Sequence, residues 1–402
     1  MDCRFITFKS DTGDCIFFIL RDGEEQYCIM IDCGAYEDLI KDFVRKELHR
    51  KINLLIITHV DNDHILGIEE MLEEEKRIDI GKILFNCYQR AQDGQETVKF
   101  TENQKRRIEK IRSELGTVFR DIVENEVSVN EAVRGLSSII LSRPKLEAVW
   151  GKDYVLAEGR CDLDLGRWGR IRFVSPSFSD INRLDKKFRE LLCSELFVDD
   201  ANKAFAKQEN IYELLLRYAS LNDFDGEKLP EKDSADEVDD IGERIENAVE
   251  HMVKESSVSI ENKASLAFVW EKDGHRVLFM GDARPGRIVE GLLRLYPTGP
   301  FPLQFDAIKV SHHGSHYNTT VELMRLIDSQ HFFITGGGEE ERPSEEALGR
   351  IICRPLSEGI ECRTIHVNYP NQLTDLLAGV ETLQEKWHFA IDTERNEYEF
   401  SF

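Results

Sequence analysis

The chain has 402 residues, is 41% apolar and 32% charged, and carries a formal net charge of −24. That length buries a full core in one large domain or two ordinary ones, and the composition is that of a folded chain rather than a disordered one. The acidity weighs against tight non-specific binding to nucleic acid, because a polyanion gains no counterion release from an acidic surface, while leaving room for a local basic groove or a metal-bridged phosphate.

In chain order, "RFITFKSDTGDCIFFIL" predicts a strand, a Gly/Asp turn and a second strand, and "EEQYCIMIDCG" a third strand ending in Asp32 and Gly34. A helix is expected over "YEDLIKDFVRKELHR", a buried strand in "INLLIITH", a helix in "GIEEMLEEEKR" and a strand in "IGKILFN". Strand pairs thus give way to strand–helix alternation. Residues 91–167 look different. Their apolar positions fall three to four apart among helix formers, which predicts a mainly helical insertion. "WGRIRFVSPSF" returns to strand, and "KKFRELLCSELF" and "NKAFAKQENIYELLLRYASL" read as helices. The acidic stretch at about 221–259 is expected to be a flexible or peripheral insertion. From residue 260, "SLAFVW", "HRVLFMGD", "FDAIKVSHHGSH" and "HFFITGGG" are four strand-like runs, each followed by polar or glycine-rich chain.

The nine cysteines form no CxxC pair and lie dispersed, as suits reduced structural thiols. The longest apolar runs are far short of a membrane span, and the first residues carry no signal-peptide pattern. A soluble, cytoplasmic protein without membrane contact is therefore expected.

The segment "INLLIITHVDNDHILGI" carries the first chemistry. A buried strand runs directly into His59, Asp61, Asp63 and His64, all natural ligands for zinc, manganese or iron. By itself such a cluster is also what a polar surface loop would show. Two later strand ends change the balance: "RVLFMGDARPG" delivers Asp282, and "FDAIKVSHHGSH" delivers His312 and His313. One shared metal centre explains all three clusters together.

These motifs ("DTGDCIFFIL…IDCG", "THVDNDHILG", the "GD" strand end and "VSHHGS") resemble the metallo-beta-lactamase superfamily, and within it the branch containing the metal-dependent domain of competence-type DNA-uptake proteins. The resemblance covers about 1–90 and 168–402. It implies an α/β fold, a four-layer αβ/βα sandwich with a helical insertion and the metal centre at one sheet edge. It further implies that His59 and Asp61 hold one ion, Asp63 and His64 the second, and Asp282 bridges them. Asp61 stands where many members have a histidine. One of His312 and His313 completes a shell, with a slight preference for His312. Asp32 is implied as an acid orienting a ligand, Asn262 stands near the close branch's asparagine, and Arg342 takes the place of a histidine before Pro343.

The expected function is a metal-dependent hydrolase with one or two divalent ions, zinc or manganese. It would act on a phosphodiester in an anionic small molecule or in nucleic acid, as a phosphodiesterase or nuclease. Asp63 and His316 are candidates for proton transfer, and Arg342 for an anion contact. The alternative is a partner-binding component of a multiprotein system, in which the helical insertion binds a protein and the metal site is regulated or inactive. His366, inside a strand, is expected to be packed or hydrogen-bonded, and Phe17, Phe18, Phe268 and Phe279 to be core.

Overall fold

The computed structural model describes residues 1–10, 13–87, 96–122, 134–151, 153–159, 162–205, 211–223, 241–250, 258–337 and 342–401. Two large mixed sheets organise the chain. The first contains β1 (Asp2–Thr7), β2 (Ile16–Asp22), β3 (Glu25–Ile31), β4 (Leu54–Ile57), β5 (Ile83–Phe85) and the final strand β14 (Glu397–Ser401), in the order β14-β1-β2-β3-β4-β5. The second contains β6 (Asp162–Asp164), β7 (Arg170–Ser175), β8 (Ala267–Lys272), β9 (His275–Phe279), β10 (Ala307–Lys309), β11 (His331–Ile334), β12 (Arg363–Val367) and β13 (Phe389–Asp392), in spatial order β13 to β6. In each sheet the hairpin strands pair antiparallel, and the strands separated by helical crossovers pair parallel.

These strands are continuous apolar runs because both of their faces are buried. Phe18, Ile29, Leu54 and Ile56 face the second sheet, whose Phe268, Trp270 and Phe279 face back. Phe5 stacks between Phe279 and Phe333, with ring centroids 5.5 and 4.0 Å away. Burying each such ring contributes about 1.5–3 kcal/mol. The alternate residues, Phe17, Cys28, Met30, Leu55 and Ile57, pack outward under helices, as do Val269, Leu278 and Ile308 of the second sheet. Helix–sheet–sheet–helix layering follows from this alternation. The four phenylalanines expected in the core are all buried.

Helix α1 (Asn62–Glu74) starts earlier than its apolar pattern suggests, so Asp63 and His64 sit on its first turn rather than in a loop. Its start is clasped by neighbouring backbone: Asp14 N–H donates to Asp63 O (3.2 Å) and Cys33 N–H to His64 O (2.8 Å). The approach at residue 13 requires glycine, since a Cβ there would stand 1.7 Å from the Asp63 carbonyl oxygen.

In the expected insertion α2 (Glu102–Ile122) and α3 (Leu136–Leu141) are helical, and α4 (Phe178–Leu196) and α5 (Ile211–Asp223) follow it in the chain. Ile108, Ile111, Leu115, Phe188, Leu192, Tyr212 and Leu215 join the core that underlies the first sheet. The helical layer therefore draws on chain well beyond residue 167. In the acidic stretch, 224–240 and 251–257 lie outside the described residues, but Ile241–Val249 is a helix, α6, packed by Ile241 and Ile245 into the core outside the second sheet. The expectation of a merely flexible or peripheral segment fails there, because isoleucines one helical turn apart give that helix a face to bury. No helix among the described residues is long and apolar enough to cross a membrane.

Candidate metal centre

The site forms where β3, β4, β9, β10 and β11 end at one edge of the sandwich. Asp32 follows β3, Thr58 and His59 follow β4, and Asp61 to His64 lead into α1. Asp282 follows β9 across Gly281, whose φ of 48° and close neighbours, Ser265 Oγ and Leu266 O, suit glycine. His312 and His313 follow β10, both with φ near 50°, a region that non-glycine residues occupy at a cost and mostly at functional turns.

All seven expected ligands converge. His59 Nε2 lies 3.4 Å from Asp61 Oδ2 and 3.8 Å from Asp282 Oδ2. His64 Nε2 lies 3.5 Å from Asp63 Oδ2 and 3.4 Å from Asp282 Oδ2. His313 Nε2 lies 3.2 Å from Asp63 Oδ2, and His312 Nε2 is 3.7 Å from Asp282 Oδ2. Of the two histidines left open by the sequence, His313 faces the Asp63–His64 pair and His312 faces Asp282. Both residues stand in left-handed backbone, and their side chains reach different carboxylates.

Each imidazole is anchored through Nδ1. His64 Nδ1 is 2.8 Å from Asp32 Oδ2, a carboxylate that can only accept, so Nδ1 carries the proton and Nε2 faces the centre. The other Asp32 oxygen accepts from Thr58 N–H (2.8 Å), and the Thr58 hydroxyl donates to Asp32 Oδ2 (2.7 Å). That hydroxyl is then left to accept from His59 Nδ1 (2.9 Å). Asn318 donates to the Asp282 and Ala283 carbonyls and offers its oxygen to His312 Nδ1 (3.0 Å). His313 Nδ1 donates to the Thr335 carbonyl (2.5 Å), with Asp14 Oδ1 3.4 Å away.

Sequence reasoning passed over Asp14 and Lys309, which form a fully buried ion pair beside His313. The Thr335 hydroxyl also donates to Asp14 (2.5 Å). The available signals were an aspartate directly before an apolar strand and a lone lysine inside another. Thr58, Asn318, Arg217 and Ser220 were missed as well, and only three-dimensional proximity marks them.

Burial opposes every charge here, yet the ionic neighbours prevail. Asp63 and Asp282 are held below the usual carboxylate range by the surrounding imidazoles, and Asp14 by Lys309 and His313. Against the same burial, the carboxylates Asp63, Asp282 and Asp32 hold the His64 imidazolium well above its ordinary pKa, and Asp14 and Asp63 raise His313 to about 9. His312 moves the other way, pushed down by burial and by the Arg342 guanidinium nearby. The cluster therefore demands positive charge.

A divalent ion fits that demand. His59 Nε2, His64 Nε2 and Asp282 Oδ1 are buried without a hydrogen-bond partner, an expensive state that coordination would relieve. Two donors about 2.1 Å from a tetrahedral ion stand about 3.4 Å apart, close to the separations observed. His59–His64–Asp282 and Asp63–His64–His313 each offer converging ligand atoms, as does Asp14–Asp32–His64 behind them.

The remaining expected residues lie around this cluster. Asn262 Nδ2 is 3.5 Å from His312 Nε2. His316 stands apart from the three groups, its ring against Tyr317 at 3.9 Å and its carbonyl accepting from Arg350.

The family model described as Metallo-beta-lactamase superfamily matches residues 13–77, from the approach to β2 through α1. No curated protein matches the chain. Among solved structures, a variant of the CmlA beta-hydroxylase matches at 10% identity and a TM-score of 0.34, covering 99% of this chain and 54% of the other. The chain thus spans about half the length of that protein. The metallo-beta-lactamase fold protein YhfI from Bacillus subtilis matches at 8% identity and a TM-score of 0.34, over 100% of both chains. The matched segment includes His59, Asp63 and His64 of the ligand groups, and Asp282 and His313 lie outside it.

Proposed function

We propose that this protein hydrolyses phosphodiesters with one or two divalent ions, zinc or manganese, held by His59, Asp61, Asp63, His64, Asp282, His312 and His313. The observation that carries the reading is the convergence of three buried, unpartnered ligand atoms from the end of β4, the first turn of α1 and the end of β9. An ion bound there supplies Lewis acidity toward a phosphoryl oxygen and lowers the pKa of a water molecule.

The protein's own groups supply the rest. Asp32, Thr58, Asn318 and Thr335 hold the four imidazoles with Nε2 turned inward. Asp63 is the most exposed carboxylate of the cluster, at 32% against 15% for Asp61 and 2% for Asp282, which favours it as the group that orients a water. Arg342, beside His312, offers a cation for a non-bridging phosphate oxygen. The likeness to the DNA-uptake branch favours a phosphodiester, and the net charge of −24 favours a small or locally held one over a long nucleic acid. The free state of all eight described cysteines supports a reducing, cytoplasmic setting.

The test is turnover of an aryl phosphodiester by purified protein supplied with manganese or zinc. Asp282→Ala should abolish it. Absence of turnover in the wild type would favour the partner-binding alternative.

A further inference from the structure

We infer that Ser220, on helix α5, is a positioning residue for Asp61, the carboxylate that faces His59 at the edge of the proposed ion site. The inference rests on the metal-centre reading above.

Asp61 occupies the N-cap of α1. An aspartate there normally turns back to accept from the second or third backbone N–H of its helix. The Asp61 side chain makes no such bond. Its Oδ1 instead accepts from the Ser220 hydroxyl at 3.0 Å, which leaves Oδ2 facing His59 Nε2 at 3.4 Å. A carboxylate's last torsion is broad and two-fold, so an external donor is what selects between these orientations.

Ser220 is itself held in register. Three residues earlier on the same face of α5, the fully buried Arg217 donates to Asn62 Oδ1 (3.0 Å) and to Glu69 and Glu213. Glu213 in turn accepts from the backbone N–H groups of Leu136 and Ser137 at the start of α3. Helices α3 and α5 are thus bolted to the first turn of the metal-bearing helix, and Ser220 is the contact that reaches a ligand.

The test uses the full chain, stripped of metal by a chelator and titrated with zinc or manganese by calorimetry, alongside thermal melting of the metal-free protein. Ser220→Ala should bind one ion about 10–100-fold more weakly, the range for loss of a partner that orients a ligand. Its metal-free melting temperature should not fall, because the released Asp61 is free to cap its own helix. Ser220→Thr should restore the affinity. Unchanged metal affinity in Ser220→Ala overturns the inference, as does a lower metal-free melting temperature with affinity intact. A wild-type protein that binds neither zinc nor manganese overturns the metal-centre reading itself, and this inference with it.

Discussion

His64 and Asp282 follow strands of different sheets, yet His64 Nε2 lies 3.4 Å from Asp282 Oδ2. The two sheets therefore meet in chemistry as well as in packing. The stacked rings of Phe5, Phe279 and Phe333 pack between the same two sheets. Neither His64 Nε2 nor Asp282 Oδ1 has a hydrogen-bond partner, so the junction is arranged for a group that belongs to neither sheet.

Removal of a ligand should remove metal. Asp63→Ala and His313→Ala should each weaken binding by more than the 10–100-fold expected for an outer partner, whereas Arg342→Ala should leave metal content unchanged and lower turnover. Elemental analysis of the purified variants reads this directly. Full metal content in Asp63→Ala would contradict the placement of the site.

Metal should stabilise the fold. The cluster's carboxylates repel one another unless protons or an ion intervene, and an ion binds the folded cluster in preference to the unfolded chain. Free zinc at 100 times its dissociation constant should add about 2.7 kcal/mol to unfolding. A chelator should reverse the gain, as seen by thermal melting, and Asp282→Ala should show little of it.

Lys309 and Asp14 should matter for stability as a pair. Lys309→Met leaves the Asp14 carboxylate buried without its main counter-charge, which costs about 3–5 kcal/mol. Combining it with Asp14→Asn should recover most of that loss, because two neutral groups carry no desolvated charge. Urea unfolding of the single and double variants is the check, and additive losses would refute the coupling.

A second histidine pair should give acid sensitivity unrelated to metal. His331 Nδ1 and His366 Nε2 are 3.2 Å apart, with Tyr398 hydroxyl 3.2 Å from His331 Nε2 and Asp392 Oδ2 3.2 Å from His366 Nδ1. Burial pushes both imidazoles down to about 4, from 6.5. Between those values the unfolded chain binds more protons than the folded one, so stability is fully present above pH 6.5 and is lost as pH falls through 4. His366→Gln should flatten the pH dependence of unfolding over that window. An unchanged slope would rule the pair out as its source.

Much of the site was legible because its ligands follow apolar strands directly. A run such as "INLLIITH" can only be a buried strand, and polar residues at its end must sit at a sheet edge. That is how His59, Asp61, Asp63, His64 and Asp282 could be proposed together. The aromatic core was legible for the same reason, since alternation within an apolar run distributes Phe17 and Phe18 to opposite faces. His366 was readable as a packed histidine and is one.

What the chain order could not carry was contact between distant segments. Asp14 and Lys309 are 295 positions apart and become partners only when β2 and β10 lie at one end of the sandwich. The positions of the His312 and His313 side chains turn on two positive φ values, which histidine adopts more readily than most residues but still uncommonly. Ser220 reaches Asp61 across 159 positions because Arg217 docks α5 on α1 through Asn62 and Glu69. Local pattern determined the elements and the ligand types, since hydrophobic period and strand ends are properties of neighbouring residues. Which atoms face one another was decided by packing, because side-chain direction at a sheet edge depends on what the rest of the chain brings there.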